Sequence, residues 1–95
     1  MRAFFADFMG LGSRPDLGLE GYTVPIGAEQ DRPALATLRS GEPVIATDES
    51  ELWAQGEAIA IERSGLRWWY VQKIATWHDL AEEPLPAGTT MVPAA

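Results

Sequence analysis

The stretch that most constrains this chain spans residues 57–77, EAIAIERSGLRWWYVQKIATW. Two runs rich in Ile, Val, Tyr and Trp flank Ser64-Gly65, a turn signal, so the stretch predicts a β-hairpin. With Ser64 and Gly65 as a two-residue loop, Arg63 faces Leu66, Glu62 faces Arg67, Ile61 faces Trp68, Ala60 faces Trp69 and Ile59 faces Tyr70. One face then carries Ile59, Ile61, Leu66, Trp68, Tyr70 and Ile74, and reads as the core face. The other carries Ala58, Ala60, Glu62, Arg67, Trp69, Val71 and Lys73, with an opposite-charge pair beside the turn and small alanines across from Trp69. A one-residue slip would exchange the faces and lose the Glu62–Arg67 pair.

The rest of the chain has to build a core around this hairpin within 95 residues, enough for one domain without a covalent staple. There is no cysteine, hence neither a disulfide framework nor a thiolate metal site. Fourteen acids against seven bases give a net charge of −7, which argues against non-specific nucleic-acid binding, because that needs a Lys/Arg footprint. No apolar run approaches the length of a membrane span. The start of the chain, with Arg2 and an apolar patch broken by Asp7, makes a poor signal peptide, so the expected location is inside the producing cell or in something assembled there.

Met1, Phe4, Phe5, Phe8 and Met9 recur at helical spacing and predict a short amphipathic helix, stopped by Gly10. So short a helix must dock on its own domain or on a partner. Residues 10–21 hold four glycines and a proline and read as a loop. Residues 22–26 predict a short strand which, because of Pro25, lies at an edge or ends there. The segment from Pro33 is compatible with a helical turn or an extended run. Val44, Ile45 and Ala46 predict a buried strand. Asp48 and Glu51 have capping-box spacing and predict one helical turn ending near Gly56. A last strand is expected over 89–92, and 93–95 are expected to fray. The sum is a mainly β fold, a small antiparallel β-barrel or rolled sheet: residues 1–21 form a helix and Gly-rich arm, 22–92 the barrel domain, and 93–95 a frayed tail.

No catalytic constellation emerges. His78 and Glu82 are four apart, but two ligands are too few for a metal and Pro84 shortens any helix, so His78 reads as a solvated loop residue. Ser13, Ser40, Ser50 and Ser64 sit in turn or cap contexts without a nucleophile-elbow motif. Glu49, Glu51, Glu82 and Glu83 could pair as acid and base, yet acids in an acidic chain usually form a solvated face. Gly10-Leu11-Gly12 lacks the length and the lysine of a phosphate loop. Four tryptophans are the sharper feature. A stacking platform for bases or sugars needs exposed rings and, for nucleic acid, basic neighbours. Only Arg67 and Lys73 flank the hairpin, offset by Glu57 and Glu62. Trp68 and Tyr70 are therefore expected in the core, with Trp69 half exposed over Ala60. No cofactor, metal or catalytic residue is expected.

Residues 43–52, PVIATDESEL, followed by Gly56 and by EAIAIERSGLRWWYV, resemble small head–tail joining proteins of tailed bacteriophages, of the lambda tail-attachment type. The resemblance lies in the order strand, acidic capped turn, glycine, hairpin with the return arm Gly65-Leu66-Arg67-Trp68-Trp69-Tyr70-Val71, and a final strand near 89–92. It covers about half of the chain. The 82–88 loop and Trp77 depart from it. It implies a structural virion protein: a β-barrel subunit with mobile arms, six copies forming a ring between the portal or adaptor and the tail, located at the head–tail interface after assembly in the host cytoplasm. Such proteins work through surfaces, and Phe4, Phe5, Phe8 and Trp69 are the expected interface residues. The alternative is a small acidic β-barrel that inhibits a protein by presenting carboxylates in place of nucleic-acid phosphates, although the acids here are scattered among Arg32, Arg39, Arg63 and Arg67. An enzyme accessory subunit is a third reading.

Overall fold

The computed structural model describes residues 1–93. Eight strands form one sheet: β1 (Arg2–Phe5), β2 (Gly12–Ser13), β3 (Tyr22–Ala28), β4 (Pro43–Thr47), β5 (Leu52–Arg63), β6 (Leu66–Ile74), β7 (His78–Asp79) and β8 (Thr90–Val92). Their order is β2-β3-β6-β5-β4-β1-β8, with β7 added to the start of β5. Most pairs are antiparallel, but β1 runs parallel to both β4 and β8. The chain is thus mainly β, in line with its runs of strand formers between turn residues. The sheet is mixed and open: β2 and β8 are its edges, and it does not close into a barrel.

The hairpin has the register derived from its side chains. All five pairs from Arg63↔Leu66 to Ile59↔Tyr70 are present. Ser64 and Gly65 both take positive φ, 53° and 76°, the twist that a two-residue loop needs to match the flanking strands. The faces, however, are exchanged. Ala58, Trp69 and Val71 lie in the main core with Phe4, Val24, Ile26, Leu35 and Val44, whereas Ile59, Ile61, Leu66 and Trp68 are only half-buried on the opposite face. Small alanines are what admit the large Trp69 ring, and its indole N–H donates to Glu29 Oε1 at 3.0 Å. Ile74 joins the same core because Lys73, at φ 58°, is an extra residue: three residues on β6 from Val71 to Ile74 span two steps on β3 from Val24 to Tyr22.

The N-terminal helix is not found. Residues 2–5 form β1, an interior strand held in register by β4 from Arg2↔Val44 to Phe5↔Thr47 and by β8 from Arg2↔Thr90 to Phe4↔Val92. Two ladders outweigh a helical period that spans scarcely two turns. The first residues therefore belong to the body of the sheet rather than to an arm. Only a single 3-10 turn comes next, Phe8–Gly10, whose Met9 N–H is taken by Asp7 Oδ1 at 2.9 Å. The helical turn expected after Asp48 is also absent. Asp48 Oδ1 accepts from the N–H groups of Ser50, Glu51 and Leu52 at 2.8–3.0 Å, which is capping chemistry, but Leu52 then enters β5. Burial works against the Asp48 charge, and the three donors outweigh it and hold its pKa below the ordinary value. The segment compatible with either a helical turn or extended chain is a 3-10 helix, Pro33–Thr37, whose Leu35 is fully buried. Val44 to Ala46 and Thr90–Val92 are strands as expected. Of the expected frayed tail, only Pro93 lies within the described residues.

β5 organises the molecule. Its twelve residues reach roughly 40 Å at 3.3 Å each, and the longest extent of the molecule is 40 Å. Its first half pairs with β4 and its second with β6. At the changeover sits Gly56, where a Cβ would lie 2.3 Å from the Gln72 carbonyl oxygen. Only glycine lets the two backbones approach so closely. Phe4, fully buried in the main core, has the guanidinium groups of Arg2 and Arg32 over its ring, 5.6 and 5.7 Å from its centre. Arg2 forks onto Glu42 at 2.8 and 2.9 Å, and that bond holds the Glu42 carboxyl below its usual pKa. Arg32 is buried; its Nη1 donates to the carbonyls of Phe5 and Ile26 at 2.8 and 3.1 Å and so ties β1 to β3 across the inside of the curved sheet.

Candidate functional site

The back of the sheet, the face turned away from the main core, divides into three zones along β5. Side chains alternate, so Trp53, Gln55, Glu57, Ile59 and Ile61 all point to it. In the first zone Trp53 packs with Ala3 and Ile45 beneath Leu80, Leu85 and Met91. Its indole N–H donates to the Glu83 carbonyl at 2.7 Å, and its ring lies against that of His78, 4.3 Å between centroids. The C-terminal loop is thus a lid over this end.

The middle zone is an open cleft of about 380 Å³ of mixed lining, with Gln55, Glu57, Lys73, Thr76 and His78 beside Pro43 and Ala75. It opens because β6 leaves β5 after Gln72 and the chain rejoins β5 only at Trp53↔His78. Lys73 sits 3.4 Å from Glu57 and 3.7 Å from Glu20, so its charge is matched within the chain. The third zone is the outer face of the hairpin. Ile59, Ile61, Leu66 and Trp68 stand side by side there, each half-buried and outside both buried clusters, and the Arg14–Leu17 turn approaches the same face beside Tyr70 and Arg63. Tyr70, next in line, is buried, with its hydroxyl 3.4 Å from Arg63 Nη1. This half-exposed zone is the candidate site, a contiguous apolar patch on a hairpin whose β6 arm is paired with β3 as far as Ala28↔Trp68.

Of the four residues expected at an interface, Phe4 and Trp69 are core residues, 0 % and 2 % exposed. Phe8 is half-buried against the main core and Phe5 is 41 % exposed. The four are not brought together into one surface. The face inversion accounts for Trp69: of the two adjacent indoles, it is the half-buried Trp68 that lies on the outer face. Met9, 93 % exposed, and the edge-to-face pair Tyr22–Trp77, 5.5 Å apart, are further exposed apolar groups. His78 meets Glu83 at 3.2 Å rather than Glu82, and no cluster of three metal-ligating side chains occurs among the described residues. Nor is any helix among them long and apolar enough to cross a membrane.

The fold also gathers charge that looks scattered along the chain. The turn bearing Asp48, Glu49 and Glu51 lies beside the loop bearing Asp79, Glu82 and Glu83, joined by Leu52↔Asp79 and by the Leu80 N–H to Glu51 carbonyl bond of 2.7 Å. These six acids leave eight acids against seven bases in the rest of the chain, so one end of the molecule carries nearly all of its net charge. The hairpin tip is at the other end of β5. Set against known proteins, the chain matches no family model, no curated protein and no solved structure.

Proposed function

We propose that the chain is a structural assembly subunit of the kind that joins head to tail in tailed bacteriophages, a ring-forming connector placed between the portal or adaptor and the tail. The observation that carries this reading is the half-exposed apolar face of the hairpin, Ile59, Ile61, Leu66 and Trp68, on strands held rigid by β3, which pairs with β6 as far as Ala28↔Trp68. Such a face suits a protein that works by being covered by others. The succession of β4, a capped acidic turn, β5, a tight hairpin with an aromatic return arm, and a closing β8 is also the order on which the resemblance to those connectors rests. In this reading the exposed Phe5 and Met9 are further contact residues, and six copies make the ring.

The test is electron microscopy of lysates from a host carrying the source genome with this gene deleted. Filled heads lying apart from finished tails are the expected outcome. Intact, infectious particles would remove the connector reading.

A second reading draws support from the acidic end. Six acidic residues on two adjoining loops, Glu49, Glu51 and Glu82 among them, gather the negative charge with which an inhibitor presents itself in place of nucleic-acid phosphates. It predicts a cellular nucleic-acid-binding target whose capture is lost when Glu49, Glu51, Glu82 and Glu83 are changed to glutamine.

A further inference from the structure

The second half of β5 has a free edge. On one side it is bonded to β6. On the other, β4 begins only at Pro43, and the last contacts are the Ala58 N–H to the Glu42 carbonyl, 2.9 Å, and the Gly41 N–H to the Ala58 carbonyl, 2.8 Å. Main-chain groups alternate in direction along a strand, so Ala60 and Glu62 present their N–H and C=O groups on the same side as Ala58. No strand among the described residues receives them. The result is a five-residue edge, 59–63, closed at one end by Gly41 and Glu42 and at the other by the turn.

We propose that a second copy of this chain occupies that edge: β5 pairs with β5 of its twin, antiparallel over residues 59–63, about a two-fold axis at Ile61. The segment fits itself in length, because the five free residues of one copy meet the same five of the other. In this register Ala60 faces Glu62, Ile59 faces Arg63 and Ile61 faces its own counterpart. Each turn, Ser64-Gly65, then falls beside Ser40-Gly41 of the other copy, four exposed residues without bulk.

Charge favours the same partner. The hairpin's own charges at this end are Glu62, Arg63 and Arg67, while the six clustered acids lie at the far end of β5, so copies meet where repulsion is least. The charges that would otherwise blunt the edge are engaged within each copy: Glu62 accepts from Arg67 Nε at 2.9 Å, and Arg63 reaches the Tyr70 hydroxyl. Pairing also joins the Ile59, Ile61, Leu66 and Trp68 patches of both copies into one apolar face. A two-fold contact closes on two chains, so this inference goes beyond the connector reading and stands or falls separately from it.

The experiment is sedimentation equilibrium of the full chain over a concentration series, with Ile61→Lys and Ile61→Glu alone and mixed. Ile61 is half-buried on the outer face, so both variants are expected to fold, and their circular dichroism should match that of the original chain. The original chain is expected to dimerise. Each variant alone, placing like charges opposite each other, should lose the dimer, and an equimolar mixture should restore it as a heterodimer. Ala60→Pro, which deletes an outward N–H, should also give monomer. A chain monomeric at every concentration, or an oligomer unchanged in the single Ile61 variants, would overturn the proposal whatever becomes of the connector reading.

Discussion

The two ends of the back face make a natural comparison, because one strand supplies both. At the Leu52 end Trp53 is 5 % exposed, covered by Leu80 and Leu85 and bonded to the Glu83 carbonyl. At the Arg63 end Ile59, Ile61, Leu66 and Trp68 form an apolar surface of the same chemistry that stays only half-buried. A chain that lays a lid over one apolar patch and leaves its neighbour open has used the first for its own stability. The second is free to be covered by another molecule. Acid clusters around the lidded end and not around the open one, which sharpens the division.

The comparison can be broken most severely at its joint. Gly56→Ala should unfold the domain, a loss above about 4 kcal/mol, because the new Cβ meets backbone and not a side chain that can move away. A chemical denaturation curve close to that of the original chain would mean that β5 does not pass so near β6. Next comes Trp53→Ala, expected to cost about 3–5 kcal/mol, against about 2 kcal/mol for the half-buried Trp68→Ala. Equal losses would show that both patches are covered in the free chain. Leu85→Ala should cost about 1–2 kcal/mol and raise hydrogen exchange at the Trp53 indole, leaving the hairpin unaffected.

The smallest effect is that of pH. Asp48 and Glu42 both have folded-state pKa values below their ordinary 3.8 and 4.5. The stability each contributes is therefore complete above those ordinary values and is lost as pH falls through the lower folded ones. The melting temperature should fall on acidification in that range. Asp48→Asn should flatten its share of the fall, at a cost of about 1 kcal/mol near neutrality.

How much of this is legible in the sequence depends on whether local or distant contacts decide it. The hairpin register is, because Ser64-Gly65 and the Glu62–Arg67 pair fix it within a dozen residues. Its inward face is not. Counting isoleucines favours the Ile59–Ile61–Trp68 side, but burial goes to the side where Ala58 and Ala60 leave room for Trp69 and where Val24, Leu35 and Phe4 arrive from elsewhere in the chain. The phenylalanines near the start suggest a helix because nothing local announces that β1 will pair with residues about forty and ninety positions away. Asp48 is the cap that its spacing predicts, although a cap does not specify whether a helix or a strand comes after it. The acidic end is invisible in the sequence because its two loops are joined only through β5 and β7.

The place of β1 has a consequence for how the molecule comes to exist. β1 is sandwiched between β4 and β8, whose residues lie about forty and ninety positions further along the chain. Met1 reaches the same neighbourhood through its amino group, 3.3 Å from the Gly88 carbonyl. The sheet cannot be completed until residues 90–92 have emerged from the ribosome, and its contacts join distant points of the chain, which slows folding. Until then β1 is paired on its β4 side alone, and the edge it will offer to β8 stays open to other chains.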